Sequence, residues 1–318
     1  MKENTIAAVF PGQGSQRPGM GKDFYDNIDV SRETYEEASD ALGWDVSAMC
    51  FGNDERLNLT EYAQPCIVAT EIAMLRGIRE LYGFEAQYFG GHSLGEYTGL
   101  VAANAIPFSE ALKAVQTRGR LMQEATPPGS GGMAAVIGVD LDIEKIRESL
   151  DDLSIDVANI NSSNQVVISG EAKTIEAAEK RLVLALGADG IKDMFRFVPL
   201  NVSAPFHSRF MVTMKDAFRE VLNSIALKLN PANAIRVTSN YSGAFHCANA
   251  AGIIDALVAQ ISNSVNWRDN MKALAEKSRT IYEIGPNRPL KKFFESIEVP
   301  CQSITTFSSA RRAFAIKE

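Results

Sequence analysis

The sequence predicts an α/β fold in which a parallel sheet carries a nucleophile elbow and a small βαββαβ unit is inserted into the larger part. Three observations lead there. Gly91-His92-Ser93-Leu94-Gly95 falls between a run of strand character at 87–89 and a run of helix character at 94–103, the setting of a serine nucleophile on a strand-to-helix turn. Residues 6–10 form a short continuous apolar run, as strands buried on both faces do. Beyond the Pro/Gly/Ser stretch 127–132 the pattern changes to short strands and helices in the order β-α-β-β-α-β, which is the ferredoxin-like order.

Length and composition bound the rest. The 318 residues, 46% hydrophobic and 22% charged, describe an ordinary globular chain of one large domain or a large one with an insertion. No apolar run approaches a membrane span. Residues 1–4 lack the basic and apolar regions of a signal peptide, so a cytoplasmic protein is expected. Cys50, Cys66, Cys247 and Cys301 have neither metal-ligand spacing nor a disulfide framework and read as reduced thiols. A formal charge of −7 argues against nucleic acid as the main partner, but not against a local basic patch for an acidic protein.

Taken in order, the first strand ends at Pro11-Gly12-Gln13-Gly14-Ser15-Gln16. Two glycines free the backbone for a tight loop, but the third of a dinucleotide fingerprint is misplaced and Arg17-Pro18 would break the receiving helix. The loop is either a surface turn or a donor of a backbone N–H to a site at the sheet edge. A long helix follows at 65–82, with Pro65 suited to its first turn. At the elbow, Gly91 and Gly95 flank Ser93 because a Cβ there would collide with backbone. The N–H groups opening the next helix can then face an oxyanion formed at Ser93.

The helix at 108–124 shows Phe108, Ala111, Leu112, Val115, Gly119 and Met122 on one apolar-to-small stripe, with Lys113 and Arg120 opposite and Arg118 on its flank. A guanidinium there is costly unless a carboxylate meets it. Arg118 either snorkels to the rim, pairs with a structural carboxylate, or holds a substrate carboxylate bidentately. The inserted unit reads as strands at 133–139, 155–160, 165–169 and 194–198 and helices at 142–150 and 174–186, with a turn at 161–164. Beyond it, Pro205-Phe206-His207-Ser208 leads into a helix carrying Phe210, Met214, Phe218, Val221 and Leu222. His92 adjoins Ser93 on a sharp turn and is badly placed to reach its hydroxyl, and His246 lies in a polar loop segment. His207, at a helix N-terminus whose dipole disfavours imidazolium, is by elimination the best general base.

These stretches together resemble the malonyl-CoA:acyl carrier protein transacylase family, including the acyltransferases of polyketide synthases. The likeness runs almost end to end, through Phe10 to Gln16, Gln64-Pro65, Gly91 to Tyr97, Arg118-Gly119, Pro205 to Ser208, Gln260 with Val265 and Trp267, and Glu283 to Pro286. It implies a hydrolase-like α/β large subdomain at 1–127 and 201–318, with the ferredoxin-like small subdomain at 128–200. It also implies that Ser93 is the nucleophile and His207 the base. The backbone N–H groups of Gln13 and Leu94 would form the oxyanion hole, and Arg118 would hold the malonyl carboxylate. The backbone carbonyl of Gln260 would orient the histidine in place of an acid. Gln64, Met122 and Phe206 would line the substrate site, Phe206 before His207 matching the malonyl-selecting form. Ser264 departs from the proline that many members carry before the residue matching Val265.

The expected reaction is a ping-pong transfer from malonyl-CoA to the phosphopantetheine thiol of acyl carrier protein, with no metal or redox cofactor, nucleic acid or membrane, by a monomer. A hydrolase on the same residues would have little use for Arg118, and a non-catalytic carrier-docking module would need neither Ser93 nor His207. Lys180, Arg181, Lys192 and Arg196 are the expected basic patch for an acidic carrier.

Overall fold

In the computed structural model, residues 5–127, 129–186, 195–202 and 204–314 are described. The chain begins with β1 (Ile6–Phe10), then α1 (Lys22–Asn27), α2 (Asp29–Leu42), α3 (Val46–Phe51) and the long α4 (Thr60–Tyr82). Strand β2 (Tyr88–Gly91), α5 (Gly95–Ala102) and α6 (Phe108–Glu124) follow. Next come β3 (Gly131–Ile137), α7 (Ile143–Leu150), β4 (Ile155–Ser162), β5 (Gln165–Glu171), α8 (Ala172–Leu186) and β6 (Arg196–Leu200). The remainder holds α9 (Lys215–Ser224), α10 (Pro231–Ala234), α11 (Ala250–Gln260), α12 (Trp267–Lys277), β7 (Thr280–Ile284), α13 (Lys291–Glu295), β8 (Cys301–Ile304) and α14 (Phe307–Phe314).

Two sheets result. The first has the order β2-β1-β7-β8 with all neighbours parallel, Ala7 facing Tyr88 on one side and Ile281 on the other. Helices cover both of its faces, which is why Ala7, Ala8, Val9 and Phe10 are all buried and the strand reads as an unbroken apolar run. The second has the order β4-β5-β3-β6 and is antiparallel throughout. Alternation along β3 serves its two faces. Ala134 and Val136 pack with Ile146, Ile168 and Leu182 under α7 and α8, while Met133 and Ala135 pack with Ala158 and Val167 on the face that also meets Phe206. Both parts together make a two-part α/β fold, and no helix among the described residues is long and apolar enough to cross a membrane.

The antiparallel sheet is tied by backbone to the segment before α12. Val265 N–H donates to the Ala158 carbonyl (2.8 Å), and Ile160 N–H donates to the Val265 carbonyl (2.9 Å). Ser264, where a proline would donate nothing, gives its hydroxyl to the Val157 carbonyl.

Several expectations are adjusted. Helix α4 begins at Thr60, so Pro65 lies inside it rather than in its first turn. The earlier start is supported from outside, because Gln123 of α6 accepts from the otherwise orphaned Glu61 N–H at 3.0 Å. The helix expected after His207 opens as a 3₁₀ segment, Arg209–Met214, and becomes α-helical only at Lys215. Asn161 and Ser162 belong to β4, so the turn into β5 shortens to Ser163-Asn164. Expected strand residue Met194 lies outside the described residues, and β6 runs on to Leu200.

Candidate active site

Ser93 sits between β2 and α5 with φ 51°, a left-handed conformation that a serine adopts only when its surroundings impose it. The imposition is visible at the flanking glycines. A Cβ on Gly91 would lie 2.1 Å from the Gly95 backbone, and one on Gly95 would lie 2.1 Å from the Phe10 carbonyl oxygen. The turn is further held by Asn240, whose Oδ1 accepts from Ser93 N–H (2.5 Å) while its Nδ2 donates to the Gly91 carbonyl (2.8 Å).

His207 Nε2 lies 2.7 Å from Ser93 Oγ, and His207 Nδ1 lies 2.8 Å from the Gln260 carbonyl oxygen. A carbonyl can only accept, so Nδ1 carries the proton and Nε2 is free to accept from the serine hydroxyl. The ring is 5% exposed. Burial, then the positive charge of Arg118, push its pKa down to about 3, with the Gln260 carbonyl pulling the other way. The neutral ring therefore owes its state chiefly to burial and Arg118; the short 3₁₀ segment after it replaces the α-helix whose dipole the sequence suggested.

Arg118, expected on the flank of its stripe, is 1% exposed. Its Nη1 donates to Gln64 Oε1 (3.0 Å), and its Nη2 donates to Gln260 Oε1 (2.9 Å) and Ser93 Oγ (3.2 Å). Its guanidinium stands 5.4 Å from the Tyr97 ring centroid. Close approach of α6 to α4 is what brings Arg118 to Gln64, and Gly119 permits it: a Cβ there would lie 2.4 Å from the Thr60 carbonyl oxygen. Met122, one turn on, meets Gln64 Nε2 through its sulfur at 3.6 Å. Phe206 packs against Met133, Ala135 and Val167 of the antiparallel sheet.

Gln13 and Leu94 lie on two segments in direct contact. A Cβ on Gly12 would lie 2.4 Å from the His92 carbonyl oxygen, and His92 N–H donates to the Phe10 carbonyl at 3.1 Å. Leu94 caps the amino end of α5, and the Gln13 side chain donates to Thr60 Oγ1 at 3.1 Å. Each is thus a backbone position beside the serine. Among the described residues no group of three or more His, Cys, Asp or Glu side chains is arranged to hold a metal.

Four residues joined to this arrangement were given no role from the sequence. Asn240 holds the elbow, and Asn161 Oδ1 meets His92 Nε2 at 2.8 Å across the two sheets. Glu96 and His246 are buried partners, with Nε2 to Oε1 at 2.8 Å, so His246 lies in a loop, as expected, but with its side chain buried. Only Glu96 carried a signal: a carboxylate three residues after the serine, on an otherwise apolar helix, has to find donors.

A serine hydroxyl hydrogen-bonded to a neutral imidazole, beside helix-start N–H groups, is equipped for nucleophilic attack on an acyl carbon. The comparisons with known proteins agree. The family described as acyl transferase domain matches residues 8–294. The malonyl CoA-acyl carrier protein transacylase of Bacillus subtilis is 37% identical over 299 residues, 92% of this chain and 90% of that protein. The polyketide biosynthesis malonyl CoA-acyl carrier protein transacylase BaeC of Bacillus velezensis is 36% identical over 299 residues, 92% of this chain and 96% of that one. Among solved structures, the malonyl CoA-acyl carrier protein transacylase from Clostridium perfringens superposes with a TM-score of 0.87 at 33% identity, over 97% of this chain and 96% of that one. A type II polyketide acyl-carrier protein in complex with its malonyl-transacylase gives 0.85 at 34%, over 98% and 99%. Sequence, fold and the surroundings of Ser93 agree that the chain belongs to the acyl transferase domain family.

Proposed function

We infer that the protein transfers a malonyl group from malonyl-CoA to the phosphopantetheine thiol of an acyl carrier protein, in fatty acid or polyketide synthesis, through a malonyl-serine intermediate. Ser93 Oγ attacks the thioester carbon as His207 Nε2 takes its proton. The carbonyl oxygen becomes an oxyanion facing the N–H groups of Gln13 and Leu94. The C–S bond breaks, and His207 returns the proton to the departing CoA thiolate. The carrier thiol then repeats the sequence in reverse on the malonyl-serine ester, and Ser93 is regenerated. Gln260 keeps the imidazole in the working tautomer through its carbonyl. Gln64, Met122 and Phe206 bound the space for the acyl group. No step calls on a metal or a redox cofactor.

The observation that carries the malonyl reading is Arg118. Its partners are a glutamine, a second glutamine and the serine hydroxyl itself, so a cation lies beside Ser93 without a carboxylate touching it. A malonyl group supplies that carboxylate; an acetyl group does not. We read the chain as a large part at 1–127 and 201–318 and a small one at 128–200, on the ground that each has its own sheet and core. A monomer working in the cytoplasm, clear of membranes and nucleic acid, completes the reading.

Arg118→Ala tests it. On malonyl-CoA, kcat/KM should fall by the equivalent of roughly 2–4 kcal/mol, the range for removing one partner of a desolvated charge pair. Transfer of acetyl should be spared or increased. Mass spectrometry of the acyl-enzyme accompanies the kinetics, with Ser93→Ala setting the level of no adduct. Equal losses on both thioesters would make Arg118 structural and remove the malonyl assignment.

A further inference from the structure

The Arg118 guanidinium is almost wholly buried, yet every acceptor it touches is neutral. A buried cation with no counter-charge is unstable to an extent that hydrogen bonds alone do not offset. Glu96, itself 0% exposed, is one amide away. Gln260 Nε2 donates to Glu96 Oε2 (2.7 Å) and to the Ser93 carbonyl (3.0 Å), and Gln260 Oε1 accepts from Arg118. We propose that Glu96 is the counter-charge of Arg118, acting through the Gln260 amide, and that it is a positioning residue for the acyl-group specificity of the site. The proposal rests on reading Arg118 as the carboxylate-binding group.

The geometry makes the amide directional. Turning it over would set its NH₂ against the guanidinium and its oxygen against the carboxylate, so both neighbours hold the same orientation. Glu96 has the donors an ionised carboxylate needs: Asn240 N–H reaches Oε2 at 2.9 Å beside Gln260 Nε2, and His246 meets Oε1. Burial works against the charge on Arg118, and Tyr97 and then the Glu96 carboxylate work in its favour. Separation by an amide has a consequence that direct contact would lack. A carboxylate on the guanidinium would occupy the edge that a substrate carboxylate needs. Held one amide back, Glu96 stabilises the charge and leaves only neutral acceptors on that edge beside Ser93.

The rival role for Glu96 is purely structural, as the buried partner of His246. Glu96→Gln separates the two, because the amide oxygen can still accept from Asn240 and Gln260 while the charge is gone. Melting temperatures of Glu96→Gln, Arg118→Ala and the double variant form a cycle with the wild type. Glu96→Gln should lower Tm by roughly 3 °C or more in the Arg118 protein, and by clearly less once Arg118 is alanine. Equal losses in both backgrounds would overturn the proposal. If Glu96→Gln does not fold, the double variant with Arg118→Ala decides. Recovery of folding there would support the counter-charge, and failure to fold in both backgrounds would overturn it.

A second measurement ties the counter-charge to the substrate. Malonylation on Ser93 brings in a new carboxylate, so the malonyl adduct should raise the Tm of Glu96→Gln more than that of wild type, whereas the acetyl adduct should not. Coupling in the cycle with matching malonyl and acetyl shifts would keep Glu96 as the counter-charge and remove Arg118 as the carboxylate site. Absence of coupling would remove the Glu96 proposal alone, since Arg118→Ala kinetics on the two thioesters judge the other reading independently.

Discussion

His207, read as the base, is kept neutral well into the acid range. With its pKa pushed from 6.5 to about 3 by burial and by Arg118, the native ring stays unprotonated where the unfolded one takes up a proton. Its contribution to stability is therefore complete above about pH 6.5 and drains away as pH falls toward 3. The same shift governs turnover, because kcat/KM reports the free enzyme. Acylation by malonyl-CoA should hold its plateau through pH 6.5 and down to about pH 5, and Arg118→Ala should move the acid limb upward by removing a repelling charge. An acid limb with an ordinary histidine pKa in the wild type would contradict both causes. That His207, of the three histidines, is the one meeting Ser93 was legible because His92 is sterically excluded by its own turn. Its pKa was not, since burial and the nearness of Arg118 depend on packing between segments 89 residues apart in the chain.

At the scale of elements, α4 and α6 matter most, since they carry Gln64 and Arg118 to the serine. Their axes approach at Gly119, where an added methyl would press on the Thr60 carbonyl of α4. Backbone cannot yield as a side-chain tip does, so Gly119→Ala should push α6 outward. A cost of about 1–3 kcal/mol in chemical denaturation follows from overpacking of that kind. Malonyl transfer should drop more than acetyl transfer, because the displaced element is the one bearing Arg118. Unchanged stability would mean that the helices have slack the geometry denies. Periodicity made α6 legible to its ends, because its stripe of Phe108, Ala111, Leu112, Val115, Gly119 and Met122 is unbroken. It placed Arg118 only on the rim. The side chain turns fully inward because Gln64 and Gln260 await it, and neither partner is visible from the helix's own sequence. Pro65 is a misleading sign of where α4 starts for a like reason: the true start draws its support from Gln123, on another helix.

The molecule as a whole is acidic, at −7, and an acidic carrier must find local exceptions. Of the basic residues expected to provide one, Arg181 is already engaged by Asp152, Lys180 and Arg196 are exposed, and Lys192 lies outside the described residues. Raising salt from about 0.1 to about 1 M shortens the Debye length from about 10 to about 3 Å. Transfer to the carrier should weaken over that range while acylation by malonyl-CoA changes less, as the two half-reactions measured separately would reveal. Matching salt responses would count against an electrostatic dock. The βαββαβ rhythm of the small part was legible because each element is short and locally patterned. The tie of the antiparallel sheet to the larger part was not, because the Val265 bridge to β4 is a pairing of single residues with no pattern to read.

That tie reaches further than cohesion. Val265 is gripped by Ala158 and Ile160, and it follows by only five residues the Gln260 whose carbonyl steers His207. One short piece of chain thus both ties the antiparallel sheet to the larger part and carries the carbonyl that aims the His207 ring. A substitution that loosened the first would therefore disturb the second, and cohesion and aim would be lost together.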